Sequence, residues 1–290
     1  MIKIRNKFFI IYTISIFIFS LYIILDTFVI PKADIIENNE IDEKQNISEG
    51  IYTSNSYNDD NINITINEIR KYDTTIYIAD IVIDDISYLK RAFAFNTYGR
   101  NISDTTSNIA DDNNAILAIN GDYYGFRNNG YVVANGKIYR NTSNNNEALV
   151  IYNDGTFNII NESTTNLSSL KNIYQVFSFG PALIKNSNIN VNANTEVGQA
   201  MASNPRTAIG ITKSGHYLFV VSDGRTNDSK GLSLYELATI MEELGCVTAY
   251  NLDGGGSTTM YFNGEVINNP TTNGRRISER KVSDIVYIGY

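Results

Sequence analysis

Cysteine and histidine are nearly absent from this chain of 290 residues, which has one of each, Cys246 and His216. One cysteine cannot form an internal disulfide, and the apolar residues around Cys246 favour a buried thiol over a reactive one. One histidine cannot build a His-rich zinc site or, without partners, a catalytic triad. We therefore expect any general acid or base to be a carboxylate.

Basic residues are also few, with 23 Lys and Arg against 31 Asp and Glu and a net charge of −8. Affinity for a phosphate backbone comes largely from clustered Lys and Arg, and no basic stripe is present. Nucleic acid is therefore not expected as a partner. The sequence also lacks the Gly-Lys-Ser/Thr ending of a P-loop and the G-x-G-x-x-G dinucleotide motif.

One apolar run is long enough to span a membrane, from Phe8 to about Leu25. Lys3, Arg5 and Lys7 precede it, and acidic residues follow it, which predicts a cytoplasmic N-terminus with the remainder outside the cell. A cleaved signal peptide is the alternative, although the run is long for one and no small-x-small cleavage site follows. The favoured interpretation is an uncleaved anchor in the cell membrane.

The residues after the anchor are polar and acidic and show no sustained periodicity, as expected of a solvated tether. The predicted organisation is a basic cytoplasmic segment at 1–7, a single transmembrane anchor at 8–30, an acidic flexible linker at 31–61 and a folded extracytoplasmic domain at 62–290.

Short segments rich in Ile, Val, Tyr and Phe, bounded by Gly, Asn or Asp, fill residues 62–290 and predict many strands. A helix is predicted at 233–244, where Ser233 and Glu236 have capping-box spacing and Gly245 supplies the stop. A weaker helix is predicted at about 104–113. The fold class is therefore α+β: one domain with a mixed, largely antiparallel sheet covered by a few helices, preceded by the transmembrane helix.

Polar residues and glycines cluster where several predicted strands end. The clearest example is "NLDGGGSTT", in which Asp253 follows a strand and a helix precedes that strand. Glycines there permit close approach of a ligand, and successive N–H groups can form a nest for an anion. "AINGDYYGF" adds aromatic rings that could stack on a sugar. The candidate residues from these patterns include Asp122, Tyr124 and Thr258.

These motifs together resemble the phosphodiester glycosidase family, that of the N-acetylglucosamine-1-phosphodiester alpha-N-acetylglucosaminidases and of bacterial exopolysaccharide-associated relatives. The resemblance rests on "AINGDYYGF", "FGPALI", "RTAIGI", "SDGR", "LSLYELATIMEELGCVTAYNLDGGGSTTM" and "NGEVINNP" with "ERKVSD", in that order. It covers about residues 110–290. It implies an α+β domain that cleaves the bond between a sugar's anomeric carbon and a phosphodiester.

The resemblance also implies a set of pocket residues: Asn120, Gly121, Arg206, Asp223, Arg225, Asn251, Asp253, Gly254, Gly255, Gly256, Ser257, Glu279 and Arg280. Holding a phosphate requires cations or amides, and acting at the sugar carbon requires a carboxylate. We expect catalytic roles for Asp253, Asp223, Glu279 and Arg206 and substrate-binding roles for the others.

Two alternatives stay open from the sequence. The first is a phosphodiesterase that attacks phosphorus, with Asp223, Asp253 and Asn251 as oxygen ligands of a divalent cation, Mg²⁺ or Ca²⁺. The second is a membrane-tethered binding module for phosphorylated glycans, without catalysis. The expected partner in every case is a phosphorylated or cell-envelope glycan.

Overall fold

The computed structural model describes residues 2–34, 50–195 and 203–290. The described chain contains three α-helices and twenty-one strands. The helices are α1 (Ile2–Phe28), α2 (Thr106–Asp112) and α3 (Leu234–Glu243). The strands are β1 (Lys32–Ala33), β2 (Ile51–Tyr52), β3 (Ser56–Asn58), β4 (Ile62–Lys71), β5 (Thr74–Ile83), β6 (Leu89–Phe93), β7 (Gly99–Arg100), β8 (Leu117–Asn120), β9 (Val132–Ala134), β10 (Lys137–Arg140), β11 (Glu147–Tyr152), β12 (Phe157–Asn161), β13 (Ile173–Phe177), β14 (Ala182–Lys185), β15 (Asn188–Ile189), β16 (Arg206–Thr212), β17 (Tyr217–Ser222), β18 (Cys246–Asn251), β19 (Met260–Phe262), β20 (Glu265–Val266) and β21 (Asp284–Ile288).

The strands form three larger sheets and one short pair. The nine-stranded sheet has the order β15-β14-β18-β16-β17-β5-β4-β3-β2, and the five-stranded sheets have the orders β10-β9-β13-β11-β12 and β20-β19-β8-β21-β6. The short pair joins β1 to β7. The α+β prediction is confirmed, with the difference that the strands divide among several sheets instead of one.

Strand β5 shows how the sheets share their core. Tyr77, Ala79 and Ile81 point into a central cluster to which all three larger sheets contribute. Ile76 and Ile78 point the other way, against the residues that α3 buries. This period of two is the alternation expected of a strand covered on both faces, and each fully buried aliphatic side chain contributes roughly 1.5–3 kcal/mol.

The helix predicted at 233–244 is confirmed as α3. The Ser233 Oγ accepts from the Glu236 N–H at 3.1 Å, and the Glu236 carboxylate accepts from the Ser233 N–H at 2.8 Å, which completes the capping box. Gly245 follows with a φ of 79°, the left-handed conformation that glycine adopts readily. The weaker helix predicted at 104–113 is confirmed as α2, which packs against β8 and β21.

The segment predicted to be a tether, 31–61, contains β1 near its start and β2 and β3 near its end. Strands β2 and β3 extend the nine-stranded sheet beyond β4, and the Tyr57 ring is 3% exposed. The sequence conceals this hairpin because its strands are short and most of its side chains face solvent; Ile51 and Tyr52 are exposed, and Tyr57 is the residue that the hairpin buries. The middle of the predicted tether, residues 35–49, lies outside the described residues.

Cys246 begins β18 and is 3% exposed. Burial raises the pKa of its thiol to about 12, so the thiol stays protonated and unreactive at neutral pH. The prediction of a buried, inert cysteine is confirmed.

Candidate active site

A cavity of about 210 Å³ opens where β16 and β18 present their ends beside the glycine loop. We call it the cationic compartment; its lining is Phe179, Asn204, Arg206, Arg225, Asn251, Leu252, Asp253, Gly254, Gly255 and Arg280. A second cavity of about 320 Å³ adjoins it and shares Asp253 and Arg280. We call this one the aromatic compartment, because Tyr123 and Phe126 line it. The Asp253–Arg280 pair is therefore the common wall of the two compartments.

Asp253 is held in place by several hydrogen bonds. Its carboxylate accepts from the Gly254 N–H at 2.9 Å, the Ser257 hydroxyl at 2.7 Å and Arg280 Nη2 at 3.0 Å. Its backbone carbonyl accepts from Asn120 Nδ2 at 2.7 Å, and its N–H donates to the Gly121 carbonyl at 3.2 Å. A carboxylate fixed in this way at a cavity wall is preorganised to act on a bound molecule.

Burial raises the pKa of Asp253 above its usual value, while Arg280, Ser257 and the Gly254 N–H act in the opposite direction. Asp253 is 8% exposed as a residue, which explains why desolvation prevails. A carboxyl group with a raised pKa in a cleft is a common mark of a functional group.

Three arginines surround Asp253 in the cationic compartment. Arg206 Nε donates to the Leu232 carbonyl at 2.9 Å, and Arg225 Nη2 donates to Asn204 Oδ1 at 2.8 Å. Arg280 bonds to Asp253, and its side chain is the more exposed of the two. Among the described lining residues Asp253 is the one carboxylate, so cationic groups outnumber anionic ones. The compartment is suited to an anionic ligand such as a phosphodiester.

Close packing requires glycine at positions 254, 255 and 256. A Cβ at Gly254 would lie 2.8 Å from the Pro205 carbonyl oxygen, and one at Gly255, where φ is 62°, would lie 2.9 Å from Arg225 Nη2. A Cβ at Gly256 would overlap the Thr272 side chain. A larger residue at any of these positions would displace a neighbour of the cavity.

The loop amides do not form the anion nest that the sequence predicted. The N–H groups of Gly254, Gly255, Ser257 and Thr258 all donate to acceptors within the protein. An N–H that already has a protein acceptor is not free to hold a phosphate. The arginine side chains supply the cationic groups of this compartment, whereas four of the five N–H groups from Gly254 to Thr258 are already bonded within the protein.

Asn251 lines the cavity and has one unused acceptor atom. Its Nδ2 donates to the Gly180 carbonyl at 2.8 Å, which fixes the orientation of the amide. Its Oδ1 is buried and has no hydrogen-bond partner. Because a buried acceptor without a partner is unfavourable, a ligand that donates an N–H or O–H here would satisfy it.

Two of the predicted catalytic carboxylates lie outside both compartments. Asp223 accepts from the N–H and from Nδ2 of Asn269, both at 2.8 Å. Glu279 accepts from the N–H of Ser107 at 3.0 Å and from its hydroxyl at 2.5 Å, in the first turn of α2. Of the four residues predicted to be catalytic, the structure brings Asp253 and Arg206 together at the cavity. Asp223 and Glu279 instead hold neighbouring segments in place.

The loop after β8 supports Asp253 from behind. Asn120 Oδ1 accepts from the Thr207 hydroxyl at 2.8 Å while Nδ2 holds the Asp253 carbonyl. The Thr258 hydroxyl lies 3.4 Å from that of Thr207 and is fully buried. Asn120 and Thr258 therefore position the site without lining it.

Asp122 lines the aromatic compartment beside a buried charge cluster. Arg91 Nε donates to Asp284 Oδ2 at 2.6 Å, and Arg91 Nη2 is 3.9 Å from Asp122 Oδ2. The Asp122 carboxylate also accepts from the Ser178 N–H at 2.8 Å. Burial raises the pKa of Asp284 to about 7 against the opposing effect of Arg91. This cluster lies under the strand-end loop and was not predicted.

The Tyr124 ring is buried and does not line the cavity, whereas the sequence predicted that it would be available to a substrate. Its ring is 1% exposed and stacks on Tyr98 with centroids 5.0 Å apart, because the turn after Asp122 directs it inward. Tyr123 and Phe126 are each 38% exposed and stack on one another at 4.7 Å. These two rings, and not Tyr124, form the exposed aromatic surface.

Sequence reasoning missed Asn204 and Phe179 as lining residues. Asn204 orients Arg225 by accepting two hydrogen bonds from its guanidinium group at Oδ1. One proline separates Asn204 from the "RTAIGI" segment. Phe179 is the first residue of the "FGPALI" motif, which is part of the family resemblance. Nothing else in the sequence indicates that Phe179 lines a cavity.

Comparison with known proteins identifies the family of this chain. The profile of the phosphodiester glycosidase family matches residues 113–289. The chain belongs to the phosphodiester glycosidase family, a family of glycosidase-type hydrolases.

Individual relatives match this chain over part of their own length. The SPbeta prophage-derived uncharacterized protein YomE of Bacillus subtilis is 29% identical over 203 residues, which is 67% of this chain and 31% of that protein. The N-acetylglucosamine-1-phosphodiester alpha-N-acetylglucosaminidase of Mus musculus is 30% identical over 157 residues, 49% of this chain and 30% of that enzyme. The chain thus spans about a third of the length of these relatives.

A solved structure confirms the fold. The catalytic domain of zebrafish N-acetylglucosamine-1-phosphodiester alpha-N-acetylglucosaminidase, auto-inhibited by its pro-peptide, matches with a TM-score of 0.63 and 22% identity over 79% of this chain and 83% of that one. A hypothetical protein from Synechocystis matches with a TM-score of 0.59 and 16% identity over 79% and 62%.

Proposed function

We propose that this protein is a membrane-anchored, extracytoplasmic hydrolase that cleaves the bond between sugar C1 and phosphate in a glycosyl phosphodiester. The substrate class is of the N-acetylglucosamine-1-phosphodiester type, carried by a cell-envelope or exopolysaccharide glycan. The observation that carries this proposal is the cationic compartment, in which three arginines surround one fixed carboxylate.

In this mechanism Arg206 and Arg225 bind the phosphate, which is the leaving group. Guanidinium groups match phosphate oxygens in geometry and charge, so they stabilise the negative charge that grows as the bond breaks. Asp253 lies beside C1, stabilises the positive charge that develops on the sugar ring, and takes the proton of the water that adds to C1 as the phosphate leaves. Arg280 holds the carboxylate ionised in this position.

Asn251 contributes to recognition of the sugar. Its unpaired Oδ1 accepts from a hydroxyl or acetamido N–H of the bound ring, which removes the cost of leaving a buried acceptor unsatisfied. A sugar that lacks this donor would therefore bind less well.

Anchoring rests on α1. Residues Phe9–Phe28 have a mean hydropathy of 2.2 and are not buried against the rest of the protein. Lys3, Arg5 and Lys7 at the start of the chain favour a cytoplasmic N-terminus, which leaves the domain outside.

The metal-dependent alternative has weaker support from the site. In residues 2–34, 50–195 and 203–290 no group of three or more His, Cys, Asp or Glu is close enough to hold an ion. Of the proposed ligands, Asp223 does not line the cavity with Asp253 and Asn251. The remaining carboxylate already bonds to Arg280, whose charge opposes a cation beside it.

The reaction is tested by hydrolysis of an alpha-N-acetylglucosaminyl phosphodiester in ¹⁸O-labelled water, using the full chain in detergent and mass spectrometry of both products. We expect the label in the sugar, because the proposed attack is at carbon. Label in the phosphate would show attack at phosphorus and overturn the proposal. Binding of the substrate without any product would favour a non-catalytic glycan-binding module instead.

A further inference from the structure

The last turn of α1 is joined to the folded domain. The Thr27 carbonyl accepts from Arg100 Nη2 at 3.3 Å and from Asn101 Nδ2 at 3.2 Å, and Asn101 Nδ2 also donates to the Ile30 carbonyl at 3.1 Å. Lys32 then pairs with Arg100 in the short β1–β7 sheet. The end of the anchor helix and the residues that follow it therefore contact the β7 region directly.

Strand β7 in turn contacts the loop that carries the aromatic compartment. The Asn101 N–H donates to the Gly125 carbonyl at 3.1 Å. Tyr98, just before β7, stacks on Tyr124. Gly125 and Tyr124 are flanked in sequence by Phe126 and Tyr123, the exposed rings of the compartment. A continuous set of contacts thus links the end of α1 to the mouth of the cavity.

Apolar surface is exposed along this path. The apolar side chains of α1 are exposed from Phe9 onward, and Phe17, for example, is 67% exposed. Contact between so large an apolar surface and water is unfavourable. Phe126 and Tyr123 are 38% exposed beside the cavity, and Phe95, which precedes β7, is 59% exposed. Aromatic rings near the end of a membrane-spanning helix are typical of the membrane–water interface.

We propose that the mouth of the aromatic compartment, formed by Tyr123 and Phe126, rests on the outer surface of the membrane that α1 spans. The phosphodiesters it reaches are then those carried on a lipid at that surface, with the lipid side next to the two rings. This inference rests on the anchoring in the proposed function, and its test does not depend on turnover.

The chain has no tryptophan, so one introduced indole reports on one position. Phe126→Trp in the full chain is reconstituted into vesicles of phosphatidylcholine and phosphatidylglycerol, with and without bromine on the acyl chains. Phe17→Trp, within α1, is the control for insertion. Tyr235→Trp is the control for orientation, because Tyr235 is 42% exposed on α3, on the far side of the nine-stranded sheet from the central core.

We expect brominated lipid to remove most of the Phe17→Trp emission and a large part of the Phe126→Trp emission, with a blue shift of the latter, and to leave Tyr235→Trp unquenched. Quenching of Phe17→Trp alone would overturn the membrane contact while leaving the anchor intact. Equal quenching of Phe126→Trp and Tyr235→Trp would also overturn it, because the contact would then lack orientation. If no variant is quenched, the anchoring fails, and this inference fails with it.

Discussion

Two loops that follow buried strands meet at the cavity, and they contribute to it differently. The loop at 253–257 supplies a side chain, the Asp253 carboxylate, held by short-range hydrogen bonds to Ser257 and Gly254. The loop at 120–126 supplies mainly support, since Asn120 and Gly121 bond to the Asp253 backbone. Both loops combine an acid with glycine, so residue type alone does not show which acid faces a ligand.

The supports beneath the two loops differ as well. The 253–257 loop is fixed by hydroxyl and amide donors, whereas the 120–126 loop lies over the Arg91–Asp284 ion pair. A Cβ at Gly121 would lie 2.5 Å from the Asp284 carboxylate, so that loop is packed directly on the buried charges. Substitutions in the two loops should therefore affect different properties, turnover in one case and stability in the other.

The largest difference is expected between the two acids. Asp253→Asn should lower kcat/KM by roughly 10²- to 10⁴-fold with little change in folding, because it removes the charge beside C1. Asp122→Asn should keep most of the turnover and lower the free energy of unfolding by about 1–3 kcal/mol, because it weakens a buried hydrogen-bonded cluster. Steady-state kinetics and urea unfolding of both variants measure this. Equal loss of turnover in the two variants would contradict the division of roles.

The next largest effect concerns stability. Arg91→Met should lower the free energy of unfolding by about 3–5 kcal/mol, because it leaves Asp284 buried without its partner. The loss should be smaller at pH values below the Asp284 pKa of about 7, where the carboxyl group can take up a proton and become neutral. Urea unfolding across pH measures both effects.

In the wild-type protein, the direction of the pH dependence of stability follows from the raised pKa of Asp284. Since the native pKa of Asp284 lies above its unfolded value, the native state binds the proton more strongly, and the contribution of Asp284 to stability falls as pH rises toward 7. Asp284→Asn should remove this slope. A slope unchanged in Asp284→Asn would assign it to another group.

The smallest effect is a displacement of the pH profile. Arg280 lowers the pKa of Asp253, so Arg280→Gln should raise that pKa further and move the acidic limb of kcat/KM to higher pH. The rate falls as pH drops through the pKa, because the ionised carboxylate is the active form. The wild-type profile measured in the same buffers is the control, and a limb that stays in place would exclude Asp253 as its source.

Local signals in the sequence predicted much of the fold. The α3 boundaries follow from Ser233, Glu236 and Gly245, because capping depends on residues a few positions apart. The β5 strand follows from its content of Ile, Val and Tyr, which is also a local signal. The hairpin at 51–58 was missed because its strands are only two and three residues long and most of its residues are polar, although its pairing with β4 is local.

The site was predicted in part. Asp253 and Arg206 follow from charged residues at strand ends, and a glycine follows Asp253. Asp223 and Glu279 have the same local pattern, and only their tertiary partners, Asn269 and Ser107, show that they serve as supports. Tyr124 was assigned to the surface because the sequence does not indicate the direction of a ring within a turn.

The buried thiol of Cys246 has a practical consequence for site-specific labelling. Because the chain has no other cysteine, its surface offers no thiol for oxidative cross-linking or for maleimide reagents. A cysteine introduced at an exposed position, such as Ile277→Cys near Arg280, would be the one readily modified thiol of the protein. Spin labels or fluorophores can therefore be placed three residues from Arg280 in the sequence without first removing a native cysteine.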